Sequence, residues 1–111
     1  MNLNYAPGGP LQGRFPLPMY DPSTTGGFPH MLWSYILFIK DDAVIRYYTF
    51  VQDWEIFHMA YSEGQWYMTL HTEDDVDWIP ADGCEWKFGA TDMKNEVLKE
   101  QEGTLEVWKR V

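Results

Sequence analysis

The sequence predicts a β-rich α+β domain: a mostly antiparallel sheet of about five to six strands, one C-terminal helix and an extended Pro/Gly-rich N-terminal arm. Three observations lead there. Six of the seven prolines and five of the nine glycines lie within residues 1–30. From Met31 onward, runs of β-branched and aromatic residues alternate with short polar turns. Between Thr91 and Gly103 the spacing turns helical. The expected division is an arm over 1–30 and a single globular domain over 31–111.

In the arm, proline removes backbone donors and glycine raises chain entropy, so neither a helix nor a central strand is expected. Its dispersed apolar residues, among them Phe15, Leu17, Met19 and Tyr20, suit docking on a surface, because a proline-stiffened segment loses less entropy on binding. Met31 to Lys40 is apolar on both faces, as a buried central strand is. Asp41-Asp42 makes a turn, and Val44 to Val51 the partner strand. Gln52 and Asp53 mark a bend before a strand over Trp54 to Tyr61. Ser62 to Gln65 reads as a hairpin turn with Gly64 at positive φ. Trp66 to Thr72 then alternates, with Trp66, Met68 and Leu70 on one face and Tyr67, Thr69 and His71 on the other. Asp74 to Ile79 is expected to continue as an edge strand until Pro80. After a turn at Ala81 to Gly83, Cys84 to Phe88 forms a short strand. Thr91 or Asp92 caps the helix, Met93, Val97 and Gln101 share its stripe, and Gly103 stops it. Thr104 to Val111 closes the chain as a strand.

Charge narrows the function. The 111 residues hold 17 acids and 8 bases, a formal charge of −9. Phosphate binding needs Lys and Arg, so nucleic acid is an unfavourable partner. The excess is local: nine acids and no Lys or Arg fall between Tyr47 and Trp86, with four of the six tryptophans. A purely solubilising surface would spread its charge; this one concentrates it. Glu73, Asp75 and Asp77 recur at spacing two, which on a strand aims all three at one face, with Trp78 on the other. That row lacks the glycine and the further acid of an EF-hand loop, so no metal is expected.

Catalytic patterns are weak. His58 and His71 sit on strands joined by one hairpin, where half-exposed, hydrogen-bonded roles are the simpler reading. Cys84 has acidic neighbours, Asp82 and Glu85, which oppose a reactive thiolate. No serine elbow or phosphate-cradling glycine loop is present. No enzyme activity, metal or cofactor is expected. One cysteine excludes an internal disulfide, and neither a signal peptide nor a membrane span is visible, so a soluble cytoplasmic protein is expected.

Two short segments resemble known families. Ile45-Arg46-Tyr47-Tyr48 through Trp66-Tyr67 is similar to one blade hairpin of fucose-binding β-propeller lectins; Arg46 and Trp66 match, but His58 stands at the glutamate position and no second blade follows. Asp21-Pro22-Ser23-Thr24-Thr25-Gly26 resembles the threonine-rich loop of chagasin-type protease inhibitors, and the residues after it depart from that motif.

The reading that results is a non-enzymatic interaction protein, an accessory subunit or an inhibitor or immunity-type protein. Its partner is a protein with a basic surface or the subunits of a larger assembly, homo-oligomers included, and not a membrane. Glu73, Asp75, Asp77, Trp78, Trp66 and Tyr67 would form the acidic, Trp-bearing sheet face, with Phe15, Leu17, Met19 and Tyr20 docking from the arm. The alternative is a carbohydrate-binding module using exposed Trp and Tyr platforms, marked by Trp66 and Tyr67 beside Arg46.

Overall fold

The computed structural model describes residues 3–17, 33–91 and 100–108. They form nine strands in two sheets and no α-helix. The strands are β1 (Asn4–Tyr5), β2 (Pro10–Pro16), β3 (Trp33–Lys40), β4 (Ala43–Thr49), β5 (Phe57–Ser62), β6 (Gln65–Asp74), β7 (Glu85–Thr91), β8 (Gln101–Thr104) and β9 (Glu106–Val107). One sheet runs β5-β6-β2-β1-β9 and the other β4-β3-β7-β8. All pairings are antiparallel except β1 with β9, which is parallel.

The central strand over Met31 to Lys40 is found as β3, flanked by β4 and β7, with Ser34, Ile36 and Phe38 buried on its inner side. Asp41 and Asp42, at φ 52° and 62°, make the two-residue turn that matches strand twist. Glu63 and Gly64 do the same between β5 and β6, at φ 51° and 80°. The alternation over Trp66 to Thr72 is realised in β6, where Met68 and Leu70 are buried.

Three expectations are corrected. First, the fold is two sheets packed face to face, not one sheet with a helix. Of the expected helix, residues 92–99 lie outside the described residues. Its stripe residue Gln101 and its stop Gly103 belong to β8. Gly103 is there because Trp86 lies across it: a Cβ would come 2.7 Å from the indole. Second, the described part of the expected arm is not an appendage. β2 sits between β6 and β1 in its sheet, and Leu3, Tyr5, Leu11, Phe15 and Leu17 are core residues. Pro10 and Pro16 are tolerated because they occupy the first and last positions of β2. Residues 18–30 of the arm lie outside the described residues. Third, Asp74 to Ile79 is no strand. β6 ends at Asp74, and Asp75 turns into left-handed conformation at φ 60°.

The chain passes between the sheets on both sides. On one side a 3-10 turn, Trp54–Ile56, joins β4 to β5. On the other, buried Leu105 joins β8 to β9 and donates its backbone N–H to the Cys84 carbonyl at 2.7 Å. Gly83, at φ 83°, allows that approach, since a Cβ there would strike the Leu105 carbonyl oxygen.

Candidate functional site

A groove of about 570 Å³ opens at the β4 side of the sandwich. Three segments build it. Strand β4 gives Arg46 and Tyr48, the turn after it gives Gln52 to Ile56, and the end of β6 with its following loop gives Thr72 to Trp78. The loop is tied down at its back. Tyr5 donates its hydroxyl to the Val76 carbonyl at 3.1 Å, and the Asp75 N–H reaches the Gly9 carbonyl at 3.2 Å. Thr72 Oγ1, buried, accepts from the Leu11 N–H at 2.9 Å. The N-terminal strands therefore hold the wall of the groove.

The floor is aromatic. Trp78 Nε1 donates to the Tyr48 hydroxyl at 3.1 Å, and its ring packs on Phe38 at 4.6 Å between centroids. Trp54 is different: it is 61% exposed and stands at the rim. Six carboxylates line the groove, those of Asp53, Glu55, Glu73, Asp74, Asp75 and Asp77, against the single guanidinium of Arg46. Asp53 is partly committed, since its Oδ2 accepts the Thr49 N–H at 3.0 Å. Arg46 lies over the Tyr48 ring at 5.4 Å. Closely spaced carboxylates beside an exposed indole attract a cation twice, by charge and by the ring's negative face.

The predicted residues divide into three groups. Glu73, Asp75, Asp77 and Trp78 are brought together in the groove, though by a loop rather than by a strand face. Trp66 and Tyr67 lie elsewhere. Trp66 is half-buried against Tyr61, at 5.2 Å between ring centroids, and Tyr67 lies on the outer face of its sheet beneath the Arg14 guanidinium at 3.8 Å. Phe15 and Leu17 are buried in the core, so docking through them is corrected. Met19 and Tyr20 lie outside the described residues.

Arg46 stands in one sheet and Trp66 in the other, so the segment 45–67 is not a single blade hairpin and the expected sugar platform of Arg46, Trp66 and Tyr67 does not assemble. No family model, curated protein or solved structure matches the chain. The site is therefore read from its own chemistry.

Sequence reasoning missed Tyr48, Asp53, Trp54 and Glu55 as site residues, and singled out Arg46 only for the sugar platform. The signal is the Asp53-Trp54-Glu55 triplet, an indole between two acids inside the acidic stretch; where the sequence predicts a bend and the start of a strand, Trp54–Ile56 forms a 3-10 turn. His58 and His71 are exposed on the outer face of their sheet, opposite Thr69 and Gln12 respectively. Among the described residues no three His, Cys, Asp or Glu side chains are placed to hold a metal ion.

A second hollow, of about 460 Å³, adjoins Cys84. Its cation is already used, because Lys40 Nζ pairs with Asp82 Oδ2 at 2.6 Å. Cys84 is buried, and burial pushes its thiol pKa up, with nearby Lys40 opposing that effect. A raised pKa leaves little thiolate for chemistry. No helix among the described residues is long and apolar enough to cross a membrane.

Proposed function

We propose that this chain is a non-enzymatic protein–protein interaction protein, and that its acidic groove receives a basic segment of a partner protein. One observation carries the reading: six carboxylates and an exposed tryptophan share a groove whose single cation is Arg46. Charge of that density speeds the approach of a cationic partner, and indole contact then slows its departure. The role falls to the groove and not to the N-terminal strands, whose apolar side chains are spent on the core. An accessory subunit and an inhibitor both fit this description. A cytoplasmic setting goes with it, where the free thiol of Cys84 stays reduced.

The test is a titration of the full chain with a blocked Lys/Arg-rich peptide at low and at physiological salt. Binding is expected to weaken with salt and to fall when Asp74→Lys and Asp77→Lys are combined. Arg46→Gln is expected to tighten it by removing the groove's own cation. Binding indifferent to salt and to the lysine replacements, or weakened by Arg46→Gln, overturns the reading.

A further inference from the structure

Arg46 stands in a groove with six carboxylates, yet among the described residues its guanidinium forms no ion pair with any of them. It lies instead over the ring of Tyr48, at 5.4 Å, two residues along β4 and on the same side of the strand. A guanidinium left unpaired in this way is available to an anion brought from outside. Its planar fork fits a carboxylate best, through two parallel hydrogen bonds.

Tyr48 adds a second donor. The residue is only 8% exposed, and its hydroxyl accepts the Trp78 Nε1 hydrogen at 3.1 Å. An indole N–H only donates, so that bond leaves the tyrosine's own hydrogen to be given elsewhere. Among the described residues no acceptor takes it. Buried polar hydrogens are normally taken up, and this one belongs to a residue that lines the groove. The groove is therefore bipolar. Two unused donors stand on β4, while Glu73, Asp74, Asp75 and Asp77 stand at the end of β6 and in the loop after it.

We propose that the groove takes the C-terminal end of a basic partner chain, with its α-carboxylate held by the Arg46 guanidinium and the Tyr48 hydroxyl. The inference rests on the reading of the groove given above and names the part of the partner that enters. The Lys and Arg side chains upstream of that carboxylate meet the acids of the facing loop. A free anion has no cation with which to answer six carboxylates, so the anion must arrive on a cationic chain. An internal Asp or Glu of such a chain has neighbouring Lys and Arg to pair with, and loses rotamer freedom when it is held apart from them. The α-carboxylate is fixed on the main chain and loses none.

The experiment titrates the full chain with one N-acetylated Lys/Arg-rich peptide in three forms: a free C-terminal carboxylate, a C-terminal amide, and an amide with Asp next to its last residue. The free carboxylate is expected to bind about tenfold or more tighter than the plain amide. Charge alone would favour the amide, which carries one negative charge fewer, so the expected order runs against the groove's overall field. Arg46→Gln is expected to abolish the preference, weakening the free carboxylate form while tightening the amide. Tyr48→Phe, which keeps the ring beneath Arg46, is expected to narrow it. An amide that binds as tightly as the free carboxylate, or tighter, overturns the terminus and leaves the groove reading standing. An Asp-bearing amide that matches the free carboxylate overturns it in favour of an internal acid. A preference that survives Arg46→Gln overturns the assignment to Arg46. Absence of binding by all three forms overturns the groove reading itself.

Discussion

Phe15 of β2 and Phe88 of β7 stack across the space between the two sheets, 4.3 Å apart between ring centroids and 5° from parallel. Trp86 meets the same Phe15 edge-on at 5.3 Å. One residue of the N-terminal segment thus joins two aromatic rings of the opposite sheet.

The first prediction follows from that contact. Phe15→Ala removes a fully buried ring and leaves a cavity between the sheets, with an expected cost of about 3–5 kcal/mol. Because β2 is the bridge between β6 and β1, deleting residues 1–17 is expected to abolish the cooperative transition. Thermal denaturation checks both. A truncated chain that melts cooperatively would show that β2 is dispensable to the sandwich.

The β3–β4 and β5–β6 hairpins were readable and β2 was not, for a physical reason. In β3 and β6 the buried positions alternate, and Asp41-Asp42 and Glu63-Gly64 stand between strand-forming runs, so these hairpins followed directly from the residues. In β2 the inner positions are Leu11, Gly13 and Phe15, with Leu17 just beyond its end, the same period with one gap. Leu3 fills that gap: a Cβ on Gly13 would collide with its side chain. A contact from ten residues away hides the alternation, and the prolines at the ends of β2 look like vetoes when they are boundaries. The groove was half legible in the same way. Its charge stood out as an acidic run. Its shape depends on Asp75 turning left-handed and on β4 arriving from the other sheet, which no local pattern states.

The β3–β4 turn gives the second prediction. Asp41 and Asp42 both hold positive φ without the freedom of glycine, at a cost of about 1–2 kcal/mol per residue. Asp42→Gly is expected to recover about 1 kcal/mol of this and raise Tm by roughly 4–8 °C. Asp42→Val is expected to lower it. Equal melting of the two variants would mean that the turn rearranges freely.

Tyr35 supplies a pH dependence. Its hydroxyl donates to Glu100 Oε2 at 2.9 Å, and its pKa is pushed up to about 12, first by burial and then by the Glu100 bond and charge. The folded protein keeps this proton at a pH where the unfolded chain has released it. The contribution to stability is therefore full below pH 10 and is lost as pH rises from 10 to about 12. Tyr35→Phe should be less stable than the parent at pH 8, and the gap should narrow by pH 11. Denaturant midpoints at the two pH values check this; a gap that widens would assign the bond no part in the folded state.

The groove should also leave a mark on stability without any partner present. Glu73, Asp74, Asp75 and Asp77 lie within one loop and strand end, exposed, and like charges so placed repel one another in the folded state. If those carboxylates are kept for binding, neutralising them should stabilise the chain while weakening the complex. The double variant Asp74→Asn with Asp77→Asn is expected to melt higher than the parent at low salt. The difference should vanish toward molar salt, where screening acts within about 3 Å. Groove binding of the Lys/Arg-rich peptide should fall in the same variant. A variant that melts lower than the parent at every salt concentration would assign these carboxylates to holding the loop, and the groove would lose its claim as a site kept at the expense of stability.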